Sequence, residues 1–395
     1  MSAVSSVLAA ANPTPAAGKP IRVMIVDDAI VVRSLLTRWI GTEPDMTVAG
    51  TARTGREAIE EVERCDPDVV ILDVDMPVLD GISALPELLR KKRDLVVIMA
   101  STLTRRGAEV SLKALTLGAA DYVPKPQAAL DAAASASFHR ELIEKIRHLG
   151  RRGSALARQW RPAAAPDHSA PAPAAAARRR AEFVPQPAEL PALKLRPFAP
   201  VLPRVLLIGS STGGPQALTA LVGQLGKVFE RTPVLITQHM PPTFTTVLSE
   251  HLTRDGGRRV HEAEHGEAVV AGGIYVAPGG RHMRVACGAD GPLIALGDDP
   301  AINFCKPAVD PLFASAAEIW GAASLALVLT GMGSDGARGA QAVVAAGGSV
   351  IAQDEATSVV WGMPRSVAQA GLCAAVLPLD QIAAKIIRLF SGDRS

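Results

Sequence analysis

The chain has 395 residues, which is too long for one ordinary domain and predicts two domains that each bury a core. Its formal net charge is +2 with 20% charged residues, which excludes the strongly basic surface of proteins whose main partner is nucleic acid. The four cysteines form no C-x-x-C pair, so they indicate neither a disulfide framework nor a zinc site and favour a reducing, cytoplasmic location. No apolar run reaches the roughly 18 residues of a membrane span, and direct membrane insertion is not expected.

Composition divides the chain into four segments. Residues 1–19 are rich in Ala, Ser and Pro and are expected to form a disordered leader. Over residues 20–149, short apolar runs alternate with amphipathic stretches, which predicts a parallel sheet with crossover helices. Residues 150–201 are rich in Ala, Pro and Arg and are expected to form a disordered linker, because they cannot bury enough apolar surface. The alternation resumes over residues 202–391 and predicts a second α/β domain, doubly wound and mainly parallel.

Three carboxylates follow apolar strands in the first domain. Asp27 and Asp28 come directly after the run IRVMIV, and Asp73 ends the run VVILD. The carboxyl ends of parallel strands form the ligand crevice of such a sheet, so these side chains are expected to converge. Clustered carboxylates need a cation between them, and Mg²⁺ prefers oxygen ligands and can also bind a phosphoryl group.

Two further side chains suit a phosphoryl group on Asp73. Ser101 ends the strand LVVIMAS and Lys125 follows the short strand DYVP, so a hydroxyl and an ammonium are expected at the same rim. The ordered set DD, LDVDMPVLDG, MAS and KP resembles the receiver domain of two-component response regulators. The resemblance implies a flavodoxin-like fold of five β-α units, phosphorylation of Asp73, metal binding by the three carboxylates, and switching through Ser101 and Tyr122.

The second domain opens with the loop GSSTGGP, residues 209–215, between a strand and a helix. Small residues allow a tight turn there, and the free N–H groups of the helix N-terminus can stabilise an oxyanion. Gly209, Ser211 and Gly213 fit the G-x-S-x-G pattern of a serine nucleophile. An anion-binding helix start without covalent chemistry fits the same residues equally well.

Histidines offer several candidates for a general base. His239 follows the strand PVLITQ, which places it on the same rim as Ser211 if the sheet is parallel. A lone histidine is often structural, and His282 in APGGRH is a rival base. The i, i+4 pair His261 and His265 has a spacing suited to a metal, but it lies among glutamates in a stretch expected to be solvated.

The loop TGMGSDG, residues 330–336, permits two functions. Asp335 is placed to accept the second N–H of the His239 ring and so to complete a serine, base and carboxylate set. The same loop is a literal G-x-G-x-x-G fingerprint between a strand and a helix, with Asp354 roughly 20 residues further on as a ribose-binding acid. On these residues alone, binding of NAD(P) by a Rossmann-type output domain competes with hydrolysis.

Longer stretches decide between these functions by resemblance. The segments IGSSTGGPQAL, ITQHMPPTFT, YVAPGGRHM, NFCKPAVDPLF, LTGMGSDGARG and QDEATSVVWGMP are similar to the catalytic domain of the chemotaxis protein-glutamate methylesterases, the CheB family. The resemblance implies the nucleophile Ser211, the base His239, the carboxylate Asp335, and an oxyanion hole formed by the N–H groups of Thr212 and Met332. The first loop carries Ser210 where the family commonly has a smaller residue such as alanine.

The family resemblance also implies the biology. Glutamate methyl esters on methyl-accepting chemotaxis receptors would be hydrolysed with release of methanol, and selected receptor glutamines would be deamidated. A histidine kinase would phosphorylate the receiver, which in its unphosphorylated state covers the hydrolase cleft. Hydrolysis would need no cofactor, with Mg²⁺ serving the receiver alone. A DNA-binding output is not favoured, because no helix-turn-helix follows the linker.

Overall fold

The computed structural model describes residues 19–125, 132–159, 193–226 and 228–393. Among these residues the chain forms two parallel sheets covered by helices, together with one antiparallel hairpin. The α/β class expected for both halves is therefore confirmed. Residues 1–18 of the predicted leader and residues 160–192 of the predicted linker lie outside the described residues.

The first sheet has five parallel strands in the order β2-β1-β3-β4-β5, as the flavodoxin-like prediction requires. All five residues of the central strand β3 are buried, because helices cover both faces. The strands are β1 (Ile21–Val26), β2 (Met46–Ala52), β3 (Val69–Asp73), β4 (Val96–Thr102) and β5 (Asp121–Lys125). The helices are α1 (Ile30–Thr42), α2 (Gly55–Cys65), α3 (Gly81–Lys91), α4 (Arg105–Thr116) and α5 (Ala132–Gln159).

The second sheet has seven parallel strands in the order β14-β13-β12-β6-β7-β9-β8. Its strands are β6 (Val205–Ser210), β7 (Val234–Gln238), β8 (Val260–Glu262), β9 (Ile274–Val276), β12 (Ser324–Val328), β13 (Ser349–Gln353) and β14 (Ala375–Leu377). Strands β10 (His282–Gly288) and β11 (Gly291–Gly297) form the antiparallel hairpin. The strands β12, β6 and β7 are adjacent, so the loops that follow them meet at one rim.

Helices pack on both faces of the second sheet. They are α6 (Gly214–Leu225), α7 (Val228–Arg231), α8 (Phe244–Gly256), α9 (Val309–Trp320), α10 (Ala337–Ala345), α11 (Met363–Gln369) and α12 (Leu379–Ser391), with a 3₁₀ turn at Gly321–Ala323. Helices α6 and α10 begin directly after the loops of the rim. Their N-terminal ends therefore point towards it.

The linker prediction needs correction at both ends. Helix α5 continues past Gly150 to Gln159, because RRGSALARQ is rich in the helix formers Ala, Leu, Arg and Gln. At the other end, the Arg196 N–H donates to the Cys373 carbonyl oxygen at 2.9 Å, and the Ala199 N–H donates to Ser349 Oγ at 2.8 Å. These bonds attach the end of the predicted linker to the second domain.

The two halves contact each other through the side of the receiver that carries α4, β5 and α5. The Tyr122 ring stacks on Phe244 with centroids 4.8 Å apart and planes at 11°. Arg105 on α4 bonds both carboxylate oxygens of Glu250 on α8, at 2.7 and 2.8 Å. A single buried apolar cluster contains residues of both sheets. The interface therefore has a stacked aromatic pair inside and an ion pair at its exposed edge.

None of the described helices has both the length and the apolar composition needed to cross a membrane.

Candidate active site

Backbone hydrogen bonds tie together the three loops that follow β6, β7 and β12. The Ser211 N–H donates to the Thr330 carbonyl oxygen at 3.1 Å, and the His239 N–H donates to the Ser210 carbonyl oxygen at 3.1 Å. The three predicted catalytic residues therefore come from neighbouring loops of one rim, as the parallel strand order requires.

The two serines of the first loop differ in their surroundings. Ser210 is fully buried and its hydroxyl donates to Gln238 Oε1 at 2.7 Å. Ser211 is partly exposed, and its carbonyl oxygen accepts from Gln238 Nε2 at 2.9 Å and from the Gly214 N–H at 2.8 Å. Only the Ser211 hydroxyl is therefore available to a substrate, while Ser210 and Gln238 fix the loop.

His239 and Asp335 form a buried pair. His239 Nε2 lies 2.7 Å from Asp335 Oδ2, and the side chains are 10% and 2% exposed. Asp335 also accepts from the backbone N–H groups of Val309, Asp310 and Gly336 at 2.6, 3.1 and 2.9 Å. Burial alone would raise the pKa of Asp335, but His239 and these N–H donors hold it below the usual value. The carboxylate stays ionised and orients the ring.

Sequence reasoning missed two residues that act on this pair. Asp310 lies at the start of α9, where burial and the nearby charge of Asp335 raise its pKa. Cys305 lies close enough to the His239 ring to affect its pKa. Burial alone would lower the pKa of His239, but Cys305 and Asp335 together raise it to about 10. The segment NFCKPAVDP carries both residues, but only its approach to Asp335 in the folded chain reveals their roles.

Two backbone N–H groups are available beside Ser211. Among the described residues, the Thr212 and Met332 N–H groups donate no hydrogen bond. The Thr212 carbonyl oxygen instead accepts from Thr330 Oγ1 at 2.9 Å, which fixes the peptide that follows. Both N–H groups lie on loops next to Ser211, as an oxyanion hole requires.

The glycines of the third loop have structural explanations. A Cβ on Gly331 would lie 2.8 Å from Ser211 Cβ and 2.4 Å from Met363 Sδ, so a side chain would displace the serine loop. Gly333 and Gly336 have φ values of 85° and 90°, which favour glycine. The G-x-G-x-x-G pattern is therefore explained without a dinucleotide.

The three other candidate histidines, His282, His261 and His265, have structural partners. His282 is fully buried, with Nδ1 accepting from the Ala308 N–H and Nε2 bonded to the Pro300 carbonyl oxygen, both at 3.1 Å. Both ring nitrogens are engaged, so the rival base is ruled out. His261 pairs with Glu267 at 2.7 Å, and His265 accepts from the Leu296 N–H at 3.1 Å. No metal cluster includes either of them among the described residues.

The predicted receiver carboxylates converge. Oxygens of Asp27, Asp28 and Asp73 lie within 4.8 Å of one another, and this donor set suits Mg²⁺. Lys125 Nζ lies 2.6 Å from Asp27 and 2.7 Å from Asp73, so one ammonium bridges the two buried carboxylates. Burial raises the pKa of Asp73 to about 6, although Lys125 opposes the shift.

The two predicted switch residues are buried. Ser101 is 1% exposed, and its Oγ accepts from the Ser111 hydroxyl at 2.8 Å. Tyr122 is 4% exposed and faces Phe244 of the second domain. Lys145, which sequence reasoning missed, donates to the Tyr122 carbonyl oxygen at 2.6 Å and pairs with Asp121 and Glu141. The buried ion pair of Lys145 with Asp121 holds α5 against β5.

Two family models and several full-length relatives match the chain. The family described as CheB methylesterase matches residues 206–386, and the response regulator receiver domain matches residues 23–135. A protein-glutamate methylesterase/protein-glutamine glutaminase of group 2 operon from Bradyrhizobium diazoefficiens is 60% identical, covering 99% of this chain and 100% of its own. The chain belongs to the CheB methylesterase family. A relative from Rhodopseudomonas palustris strain BisB5, named protein-glutamate methylesterase/protein-glutamine glutaminase, is 59% identical over 99% of this chain and 100% of its own.

Solved structures from Thermotoga maritima match each half of this CheB family member. The CheB methylesterase catalytic domain is 42% identical, covering 48% of this chain and 100% of that chain, with a TM-score of 0.46. The response regulator domain is 41% identical, covering 34% of this chain and 98% of that chain, with a TM-score of 0.31. The family assignment rests on the full-length relatives. They do not support the dinucleotide-binding alternative.

Substitution of His282 by Ala tests its structural role. We expect the free energy of unfolding of the second domain to fall by about 2–4 kcal/mol, because two buried backbone groups lose their partners and a cavity opens. Urea denaturation followed by circular dichroism measures the change. His261→Ala is the matched control and should cost about 1 kcal/mol or less, since its carboxylate pair is partly exposed. Equal losses in the two variants would contradict the prediction.

Proposed function

We propose that this chain is a phosphorylation-controlled serine hydrolase that demethylates glutamate methyl esters on chemotaxis receptors and deamidates selected receptor glutamines. The observation that carries the proposal is the buried pair of His239 and Asp335 beside the partly exposed Ser211. The names of the full-length relatives support the choice of substrate. Residues 20–149 would be the regulatory domain and residues 202–391 the catalytic domain, with α5 extending the former to Gln159.

In the acylation step, the Ser211 hydroxyl oxygen attacks the γ-carbonyl carbon of the ester. His239 takes the hydroxyl proton, and the charge of Asp335 stabilises the resulting imidazolium. The Thr212 and Met332 N–H groups donate to the oxyanion that develops on the carbonyl oxygen. The tetrahedral species collapses, and methanol leaves with the proton from His239.

In the deacylation step, water attacks the acyl-serine while His239 accepts one of its protons. Collapse returns that proton to Ser211 Oγ and releases the glutamate carboxylate. A glutamine amide passes through the same tetrahedral species and releases ammonia instead of methanol. Protein groups carry every proton and charge in this sequence, so the hydrolytic steps require no cofactor.

Asp73 is the proposed acceptor of a phosphoryl group from a histidine kinase. Asp27, Asp28 and Asp73 would hold Mg²⁺, which supplies positive charge for the phosphoryl oxygens when bound. Lys125 now pairs with the Asp73 carboxylate, and after phosphorylation its ammonium would pair with the phosphoryl group instead. The chain would encounter the kinase and the receptor tails in the cytoplasm.

Phosphorylation is proposed to loosen the domain interface. Tyr122 stacks on Phe244, and Phe244 opens helix α8 five residues after His239. Movement of Ser101 towards a phosphoryl group on Asp73 would alter the space beside Tyr122 and weaken this stack. An interface free energy that changes by a few kcal/mol is sufficient to shift the population from covered to open.

Replacing Ser211 and Ser210 one at a time distinguishes the nucleophile from the serine that only fixes the loop. We expect Ser211→Ala to lower methanol release at least about 10,000-fold, because the attacking oxygen is lost. Ser210→Ala should keep activity within about tenfold and cost about 1 kcal/mol of stability, since one buried hydrogen bond is lost. Methanol release from receptor fragments with methyl-labelled glutamates measures both. Activity that survives in Ser211→Ala would contradict the assignment.

Replacement of Asp73 tests the phosphorylation site. With acetyl phosphate and Mg²⁺, we expect the wild-type chain to incorporate phosphoryl groups and to gain esterase activity. Asp73→Asn should do neither, because the acceptor oxygen is lost. Asp75→Asn, which removes an exposed carboxylate from the same loop, is the matched control and should respond as the wild type does. Radiolabelled phosphoryl uptake and methanol release give independent measures, and uptake by Asp73→Asn at the wild-type rate would refute the site.

Charge reversal at the interface tests inhibition by the receiver. We expect Arg105→Glu to raise esterase activity without phosphorylation by about three- to tenfold, because repulsion replaces the attraction to Glu250. Arg106→Glu is the matched control, since Arg106 pairs with Asp75 inside the receiver at 3.5 Å. An unchanged rate in Arg105→Glu would argue that this interface does not restrain the active site.

A further inference from the structure

The two N–H groups proposed for the oxyanion hole belong to peptides that are held in the same way. The Thr212 N–H shares a peptide with the Ser211 carbonyl oxygen, and the Met332 N–H shares one with the Gly331 carbonyl oxygen. Neither N–H donates a hydrogen bond within the described part of the chain, while each carbonyl oxygen accepts two. Because a trans peptide is planar, with its N–H and C=O on opposite sides, the bonds to the carbonyl oxygen fix the direction of the free N–H.

The two peptides differ in the groups that hold them. The Gly331 carbonyl oxygen accepts from the backbone N–H groups of Gly362 and Met363, at 3.0 and 2.8 Å, where α11 begins. The Ser211 carbonyl oxygen accepts from one backbone N–H, at 2.8 Å, and from a side chain, Gln238 Nε2, at 2.9 Å. Among the residues that the structure describes, no other side chain bonds to either peptide. Substitution of Gln238 can therefore disturb the first peptide while leaving the second one held.

Every polar atom of the Gln238 side chain is engaged. The residue ends β7, is 2% exposed, and its Oε1 accepts from the Ser210 hydroxyl at 2.7 Å. Its Nε2 donates to the Ser211 carbonyl oxygen and also to the His239 carbonyl oxygen, the latter at 3.2 Å. Two carbonyl oxygens beside Nε2 require the amide nitrogen at that position, so only one orientation of the amide is possible. The side chain therefore connects the loop of the nucleophile to the loop of the base.

The start of α6 leaves room for this amide. A Cβ on Gly214 would overlap Gln238 Oε1 and would lie 2.9 Å from Ser210 Cβ. The Gly214 N–H is also the backbone donor to the Ser211 carbonyl oxygen. Only a residue without a side chain permits both donors to approach this oxygen together. The end of β7 and the start of α6 therefore meet at the carbonyl oxygen of the nucleophile.

The bond from Gln238 matters in the step that Ser211 begins. When the hydroxyl attacks, negative charge develops on the ester carbonyl oxygen, and an N–H stabilises it only when aimed at that position. Hydrogen bonds to a peptide carbonyl oxygen also polarise the peptide, which makes its N–H a stronger donor. The ester in its ground state carries no such charge, so this contribution appears in the transition state. Loss of the bond is therefore expected to lower kcat and to leave KM nearly unchanged.

We propose that Gln238 is a positioning residue that aims the Thr212 N–H at the oxyanion by holding the Ser211 carbonyl oxygen. The inference rests on the proposed function, because it treats Ser211 as the nucleophile and the Thr212 N–H as an oxyanion donor. Gln238 acts through this peptide and not by contact with the substrate. Ser210 has a different role, since its hydroxyl bonds to the opposite end of the same amide.

The first test replaces Gln238 in the full-length chain, activated with acetyl phosphate and Mg²⁺. Gln238→Met keeps the length of the side chain and removes its donor, and Gln238→Leu removes the same donor with a different shape. In both we expect kcat for methanol release from methyl-labelled receptor fragments to fall about 30- to 100-fold, with KM within about threefold of the wild type. The fall is smaller than the roughly 100- to 1,000-fold cost of losing an oxyanion donor outright, because Gly214 still holds the peptide. Rates are expressed per folded protein, measured by circular dichroism.

Ser210→Ala is the matched control for this test. It removes the hydrogen bond to Gln238 Oε1 and leaves both bonds from Nε2 in place. Its kcat should stay within about tenfold of the wild type, because the Ser211 carbonyl oxygen keeps both donors. An equal fall of kcat in Ser210→Ala and Gln238→Met would indicate that the amide is merely structural, and it would overturn the proposal.

The second test observes the oxyanion donor itself. A receptor peptide with a boronic acid in place of the methyl ester forms a tetrahedral adduct with Ser211, and an oxygen on boron takes the position of the oxyanion. The Thr212 amide signal is followed by NMR in full-length protein labelled with ¹⁵N-threonine, and it is assigned by its loss in Thr212→Ser. We expect the adduct to move this amide proton downfield in the wild type and by less in Gln238→Met. An equal displacement in both proteins would refute the role of Gln238.

Hydrolysis of p-nitrophenyl acetate separates this inference from the proposed function, because this small ester needs no receptor recognition. If the wild type cleaves it faster than Gln238→Met does but releases no methanol from receptor fragments, the role of Gln238 stands and the receptor substrate fails. If the wild type releases methanol and Gln238→Met has the same kcat, the proposed function stands and the role of Gln238 fails. If the wild type hydrolyses neither ester, both fail.

Discussion

The buried carboxylate of Asp335 is the interaction on which the catalytic domain depends. A carboxylate that is 2% exposed costs several kcal/mol unless each oxygen is satisfied, and here one ring and three backbone N–H groups satisfy it. Two of these donors, Val309 and Asp310, form the start of α9. The charge therefore fixes a helix, the third loop and the base at once, and removal of the carboxylate would leave all four donors unpaired.

In the receiver, buried carboxylates are stabilised instead by one shared cationic side chain. Lys125 bridges Asp27 and Asp73, so two buried carboxylates share one ammonium. Because burial still raises the pKa of Asp73 to about 6, this compensation is incomplete. Such a site favours an incoming cation and a phosphoryl group that redistributes the charge. The hydrogen-bond network around Asp335 satisfies the carboxylate completely and stays in place. The charge of Asp73 is only partly compensated, so its surroundings are suited to change.

The sequence predicted the parts of the site that follow parallel strands. Ser211, His239 and Asp335 were each recognisable because a polar residue after an apolar strand must lie on the rim of a parallel sheet. Cys305 and Asp310 were not, because they follow the antiparallel hairpin β10–β11 and reach the rim through an irregular segment. The stack of Tyr122 on Phe244 was equally hidden, since both residues have the pattern of ordinary core positions. Local periodicity carries no information about which distant apolar faces meet.

The interface joins the two networks through three separate contacts. Tyr122 stacks on Phe244, at the start of the helix that follows the His239 loop, while Arg140 covers Phe304 in the turn that ends at Cys305. Val360, which packs with the receiver core, accepts from the Gly331 N–H of the third loop at 3.0 Å. Each contact is modest, because stacked pairs and cation–π pairs contribute about 1 kcal/mol each. Contacts of this size are compatible with the proposed loosening of the interface, because the loss of two or three of them changes its free energy by a few kcal/mol.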